Sequence, residues 1–300
     1  MSVRLAARRF LGEALRRTLY ATSARLAPRQ PRVLLYHSID DSGSTLSVSA
    51  ARLRQQLEFL KGEGWRTLSA AGYAERLGRA PSGQRECLLT FDDGYENFYE
   101  VAAPIFLELG LTATVFIPTD FIGDFPGWFE RDRAAIHRFL GAFQFTDGEL
   151  RSLNFMIHAA AGHRLMSRAQ ITELSHAGFD FQSHSAAHHF LPSLSREELD
   201  LDLARSRRVL SEELGSQPHI LCYPYGAYNQ RIAAAAQRHG YQSAVLAEYV
   251  GPSEDNFELG RVPVSEELGE SYLRFAMSPA LERHTRWMGR RKARGLLQPI

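Results

Sequence analysis

From Pro31 onward the chain alternates between short apolar runs and stretches with helical spacing of apolar residues. Val33–Tyr36, Cys87–Phe91, Ala113–Ile117, Phe179–Gln182, His219–Tyr223, Gln242–Leu246 and Leu259–Val264 read as buried strands, most of them stopped by turn or polar signals. A brief strand is expected at Arg66–Leu68. Between these runs the pattern predicts helices from about Ala50 to Lys61 behind a Ser49 cap, over Ala70–Leu77, from about Asn97 to Leu109, and over 229–239. Ser167 with Gln170, and Ser195 with Glu198, have the spacing of capping boxes. They open helices that end near Gly178 and Leu214. Strands alternating with helices imply a parallel sheet, and this many repeats favours a closed or nearly closed (β/α) barrel over an open sheet.

Three stretches break the rhythm. Residues 1–31 read as a basic amphipathic helix. Up to Arg32 the chain carries eight arginines against one acid, Glu13, while Leu5, Phe10, Leu11, Leu15, Leu19 and Leu26 recur at roughly helical spacing. Arginines interrupt every apolar stretch, so an ordinary secretory signal is not expected. A helix lying on an anionic membrane surface through residues 1–30, a solvated leader helix and an organelle transit peptide all fit this composition. Residues 120–165 scatter Trp128, Phe129, Phe139, Phe143, Phe145 and Phe155 among helix-like pieces with no single period, and read as an insertion or lid. Residues 271–300 form a second basic end, expected to be solvated. A single domain over 32–270 carries the insertion.

Composition adds limits. The 300 residues are 44% hydrophobic and 23% charged, enough to bury one large core. A net charge of +1 gives no overall pull toward nucleic acid. Cys87 and Cys222 both lie in strand-like runs without CxxC spacing, so they read as buried free thiols. No apolar run reaches 18 residues, so no membrane-spanning helix is expected. Location in the cytoplasm or at the membrane periphery is the resulting expectation. The sequence does not speak to oligomeric state.

The chemistry gathers where apolar runs end. Cys87–Phe91 is followed at once by Asp92-Asp93-Gly94. Adjacent carboxylates at a strand end repel each other, so a cation is expected beside them, a metal being the natural candidate; Asp-Asp-Gly is also ordinary turn chemistry. After Phe179–Gln182 comes His184-Ser185-Ala186-Ala187-His188, with His189 adjoining. Histidines four apart can face one ion, or form a surface cluster. Two His and one carboxylate make an open metal site with room for water and substrate.

Thr90-Phe91-Asp92-Asp93-Gly94, His184-Ser185-Ala186-Ala187-His188 and Tyr223-Pro224-Tyr225-Gly226 resemble, in order and rough spacing, the three motifs of the polysaccharide deacetylase family. The resemblance covers about residues 32–265 without the insertion, and implies a distorted (β/α) barrel. It implies removal of N-acetyl groups from an N-acetylhexosamine polysaccharide or glycolipid, with an acetylated glycan as partner and one divalent ion, zinc above all, as cofactor. Carried over by motif position, Asp92 is the general base. Asp93, His184 and His188 are the metal ligands, His188 being favoured over His189, and the Tyr225 backbone N–H is the oxyanion donor. Two departures stand out. Cys222 sits where the family has an arginine that orients the base, and Arg261 is a candidate to supply that guanidinium from another strand, or is a surface residue. No C-terminal Leu-x-His follows residue 260, but Leu35-Tyr36-His37 fits it at the N-terminal side. That shifted order resembles the poly-N-acetylglucosamine deacetylase branch, and makes His37 the candidate general acid; a buried structural histidine is the alternative. An O-deacetylase or cyclic-imide hydrolase on the same scaffold, or an inactive glycan-binding relative, are the competing functions. Without Gly-x-Ser-x-Gly a serine hydrolase is disfavoured.

Overall fold

The computed structural model describes residues 27–286, apart from 45, 129–130, 133, 135–162 and 267–268. The segment 1–26, most of the expected insertion, and 287–300 therefore lie outside the described residues. The strands are β1 (Arg32–Tyr36), β2 (Ser38–Ile39), β3 (Ser47–Val48), β4 (Arg66–Thr67), β5 (Glu86–Phe91), β6 (Thr114–Ile117), β7 (Asp180–Ser183), β8 (Ile220–Cys222), β9 (Ser243–Val245) and β10 (Val262–Pro263). One parallel sheet has the order β10-β1-β5-β6-β7-β8-β9, with β4 also paired to the start of β5. Leu259 bridges to Val245 of β9, while Val262 and Pro263 pair with β1. The last strand segment thus touches both edges and curls the sheet into a distorted barrel, as the alternation of elements predicts.

Because both faces of the sheet are covered, every residue of β1, β5 and β6 is buried, and the strands read as continuous apolar runs. The two-residue period still sorts them. Leu34, Tyr36, Cys87, Leu89 and Phe91 pack outward against the helices, while Val33, Leu88, Phe116, Cys222, Val245 and Leu259 meet inside the barrel.

The helices follow their apolar periods. α1 (Ala50–Gly62) buries Leu53, Leu57 and Leu60 completely, each stabilising by roughly 1.5–3 kcal/mol. The Ser49 hydroxyl caps it by accepting from the Arg52 N–H at 3.2 Å. α2 is Ala70–Arg76, and α3 is Ala103–Leu109. α3 is entered through a wide π turn over Phe98–Ala102, where one regular helix from Asn97 was expected. Pro104 has no N–H to donate into a regular turn there. α4 (Arg168–His176) and α5 (Arg196–Arg208) carry complete capping boxes at Ser167/Gln170 and Ser195/Glu198. α6 is Gln230–Arg238.

The C-terminal end departs from the solvated tail expected over 271–300. α7 (Glu270–Met277) and a further helical stretch to 286 bury Leu273, Phe275, Met277 and Leu281 in the main core. Apolar residues at helical spacing carry this segment into the fold despite its basic end. Among the described residues, no helix is long and apolar enough to cross a membrane.

Candidate active site

The rim at the C-terminal ends of the strands collects all seven residues that the sequence singled out. Parity explains most of it. His37 continues the inward positions of β1, Asp92 those of β5 after Leu88 and Thr90, and His184 follows the inward Gln182 of β7. Cys222 ends β8 on its inward side, and Arg261 lies two residues beyond the inward Leu259.

The cation beside Asp92 is Arg261. This guanidinium is fully buried and grips the carboxylate with both nitrogens, Nη1 to Oδ1 at 2.6 Å and Nη2 to Oδ2 at 2.7 Å. Its Nε donates to the Leu246 carbonyl (2.7 Å), Nη1 also reaches Thr90 Oγ1 (3.1 Å), and the group lies over the Phe116 ring at 5.5 Å. Arg261 is therefore a buried partner of Asp92 and not a surface residue. Cys222 Sγ lies 3.1 Å from Arg261 Nη2 and 3.4 Å from Asp92 Oδ2, so the side chain replacing the family arginine touches the same carboxylate. Burial pushes the Asp92 carboxyl up, but the charge and hydrogen bonds of Arg261 outweigh it and hold the group below the usual carboxylate range. His37 Nε2 stands 3.9 Å from Asp92 Oδ2, partly open to solvent.

Asp93 faces the other way. Its Oδ1 lies 3.3 Å from His188 Nε2 and 3.6 Å from His184 Nε2, and the three ligand atoms fall within 4.8 Å of one another. His184 Nδ1 sits 2.9 Å from the Cys222 carbonyl, which can only accept, so Nδ1 carries the proton and Nε2 presents a lone pair to Asp93. Burial, and then His188, lower the His184 pKa to about 4, which keeps the ring neutral. A neutral imidazole lone pair turned toward a carboxylate oxygen is unfavourable unless a cation lies between them. These donors therefore fit a divalent ion of the zinc type. Asp92, His184 and Cys222 also approach within 4.8 Å of one another, but both Asp92 oxygens are already engaged by a guanidinium that would repel an ion.

The two histidines sit on a compact loop whose backbone is forced. Asp93, Ser185, His188 and Tyr225 are the four non-glycine residues with positive φ among those described, at 69°, 62°, 51° and 60°. Such conformations cost of order 1–3 kcal/mol each and persist only where the surroundings hold them. Several contacts hold this loop. Asp202 of α5 accepts from the N–H groups of Ala186 (2.9 Å) and Ala187 (3.0 Å), and Ser185 Oγ accepts from the His188 N–H (2.9 Å). Arg131 Nη2 donates to the carbonyls of Ala187 (2.7 Å) and His188 (3.2 Å), and Trp128 stacks on the His188 ring at 4.5 Å. His189 turns away, its Nδ1 3.9 Å from Asp132. Tyr225 packs edge-on to His188 at 4.7 Å and gives its hydroxyl to Asp132 at 3.2 Å.

Sequence reasoning missed Asp202, Trp128, Arg131 and Asp132 as parts of this site. Asp202 left a trace, since it falls between Leu199 and Leu203 on the buried face of α5, where a charged residue needs a partner. The other three come from the start of the insertion, whose described flanks are tied together by Gly123 N–H to the Met166 carbonyl (2.9 Å) and Leu165 N–H to the Asp124 carbonyl (2.9 Å).

A family model described as polysaccharide deacetylase matches residues 79–244. YxkH of Bacillus subtilis (strain 168), whose name assigns it provisionally to the polysaccharide deacetylases, is 27% identical over 256 residues, covering 83% of this chain and 78% of that protein. The poly-beta-1,6-N-acetyl-D-glucosamine N-deacetylase of Staphylococcus epidermidis is 23% identical over 230 residues, 76% of this chain and 71% of that protein. Among solved structures, IcaB from Ammonifex degensii superposes with a TM-score of 0.66 at 21% identity, over 84% of this chain and 99% of that one. The deacetylase PplD of Streptococcus pyogenes does so at 0.66 and 22%, over 84% and 100%. At these identities the two structures share the fold with this chain.

Proposed function

The chain belongs to the polysaccharide deacetylase family, and from that premise we propose that it is a metal-dependent hydrolase that removes N-acetyl groups from an N-acetylhexosamine-containing glycan. The observation that carries this reading is the pairing of two carboxylates with opposite surroundings. Asp92 is gripped through both oxygens by Arg261, with His37 3.9 Å away, while Asp93 faces His184 and His188.

In this reading Asp93, His184 and His188 hold one divalent ion, most naturally zinc, which when bound supplies a Lewis acid for the acetamide carbonyl. Asp92 takes the proton from the attacking water; the Arg261 clamp keeps it ionised and aimed, and Oδ1, which accepts from Arg261 Nη1, retains a second lone pair for that task. Charge developing on the former carbonyl oxygen is met by the Tyr225 backbone N–H. His37, across from Asp92, gives its proton to the departing sugar amine. Acetate and a free amine on the glycan are the products. The test is acetate release from a panel of N-acetylglucosamine oligosaccharides. Acetate from O-acetylated but not N-acetylated sugars would overturn the choice of bond, and a purified protein without divalent metal and without turnover would favour a glycan-binding relative.

Three substitutions divide the roles. His188→Ala should strip the metal and the activity, whereas His189→Ala should leave metal content near wild type, because His189 points to Asp132. Elemental analysis of the two variants decides it, and metal loss from the His189 variant would shift the ligand set by one residue. His37→Ala should keep the metal but slow turnover on the order of 100-fold or more for amide substrates. The loss should be least on activated acetyl esters, whose alcohols leave unaided. Equal losses on both would remove His37 from the acid role.

A further inference from the structure

The two ends of the described chain meet at the strand N-terminal end of the barrel, away from the rim that holds His37, Asp92 and His184. There the Arg29 N–H donates to Glu282 Oε1 at 3.1 Å, and Arg32 Nη2 lies 3.2 Å from the same oxygen while donating to the Ser278 carbonyl at 2.8 Å. A cleft of about 480 Å³ opens at this end, lined by Arg29, Arg76, Arg79, Arg286, Glu86 and Glu254 among others. Arg29, Arg79, Arg283 and Arg286 are exposed. Glu86 is buried against Arg66 and Arg76, and Glu282 against Arg32. Glu254 remains as an exposed acid of the cleft.

The distribution of charge along the sequence gives this end its meaning. Residues 1–32 carry eight basic side chains against one acidic, and 283–300 carry six against none. Residues 33–282 carry 21 basic against 33 acidic, a net charge of −12 inside a chain whose total is +1. The near-neutral total hides an uneven distribution: the body between is acidic, and both basic segments continue in sequence from residues at this end of the barrel. Apolar side chains accompany the charges: Leu5, Phe10, Leu11, Leu15 and Leu19 on one side, Trp287, Met288, Leu296 and Leu297 on the other. Arginines interleaved with leucines and aromatics suit a lipid interface, which offers anionic headgroups and an apolar layer together; a nucleic acid backbone offers only the charge.

We infer that the strand N-terminal end of the barrel docks on an anionic phospholipid bilayer, through Arg29, Arg79, Arg283, Arg286 and the basic segments that continue from them. The acidic body is repelled by the same surface, so the active-site rim faces away from the bilayer, toward a glycan outside the headgroup layer. This docking is independent of the chemistry at the rim.

Sedimentation of the full chain with vesicles tests it. The protein should partition onto phosphatidylcholine vesicles containing phosphatidylglycerol and not onto phosphatidylcholine alone. It should come off in about 1 M salt, where the screening length shrinks to about 3 Å. The combined variant Arg29→Gln, Arg79→Gln, Arg283→Gln and Arg286→Gln changes only exposed side chains. It should bind on the order of 100-fold more weakly, with hydrolysis of a soluble acetylated oligosaccharide unchanged. No partitioning, equal partitioning onto neutral vesicles, or an unaffected variant would each overturn the inference. Tighter binding to duplex DNA than to the anionic vesicles at the same salt would overturn it in favour of a nucleic acid partner.

Discussion

Asp92→Asn is expected to leave the metal in place and to slow deacetylation on the order of 100- to 10,000-fold, the range for removing a general base. The substitution is nearly isosteric and leaves Asp93, His184 and His188 untouched, and those three supply the ligand atoms that converge. It replaces an acceptor of two Arg261 hydrogen bonds by an amide that can accept from one nitrogen only and turns an N–H₂ toward the other. Some stability is therefore lost along with the base. Metal content, melting temperature and kcat measured on one preparation separate the effects. Near-wild-type kcat would move the base elsewhere in the rim.

Arg261→Ala is expected to damage stability and catalysis together, with a pH signature that a simple packing defect lacks. Breaking a buried ion pair by removing one partner costs about 3–5 kcal/mol, because the remaining charge is left uncompensated. In the wild type, burial pushes the Asp92 pKa up while Arg261 more than offsets it, so the folded pKa lies below the unfolded one. That contribution is present above the unfolded carboxylate pKa and is lost as the pH falls through the folded value. Without Arg261, burial, the largest influence, is opposed only by the lesser charges of His184 and His37, and the folded pKa is expected to rise above the unfolded one. The sign then reverses: stability is full below the unfolded pKa and is lost as the pH rises through the folded value. The variant should thus melt lower near pH 7 than near pH 4 relative to wild type, and the acid limb of its kcat/KM profile should move to higher pH. A uniform drop in melting temperature across this range would mean that Arg261 acts by packing alone. Restoring the guanidinium from β8 is the complementary test. Cys222 Sγ already lies 3.4 Å from Asp92 Oδ2, so Cys222→Arg in the Arg261→Ala background should recover part of the activity.

By itself the sequence determined most of the strands and helices of the barrel, the caps of α1, α4 and α5, the two paired-residue motifs at Asp92-Asp93 and His184/His188, and the position of His37 at a strand end. All of these rest on local physics: alternation by two, helical spacing, and side chains bonding a backbone a few residues away. Arg261 stayed open between a partner of the base and a surface residue until Leu259, two residues before it, was found inside the barrel. Whether Arg261 met Asp92 was another matter, because β10 and β5 are separated by β1 in the sheet and the grip forms only when the barrel curls. The tertiary structure alone decided that Arg261 reaches the first carboxylate and grips both its oxygens, leaving the second to face the histidines. It also decided that Asp202, Trp128 and Arg131 brace the left-handed turns of the ligand loop, and that 270–286 pack into the core. Those contacts join residues tens to hundreds of positions apart. Their energy depends on which surfaces the sheet order brings face to face, and no local period of the chain encodes that order.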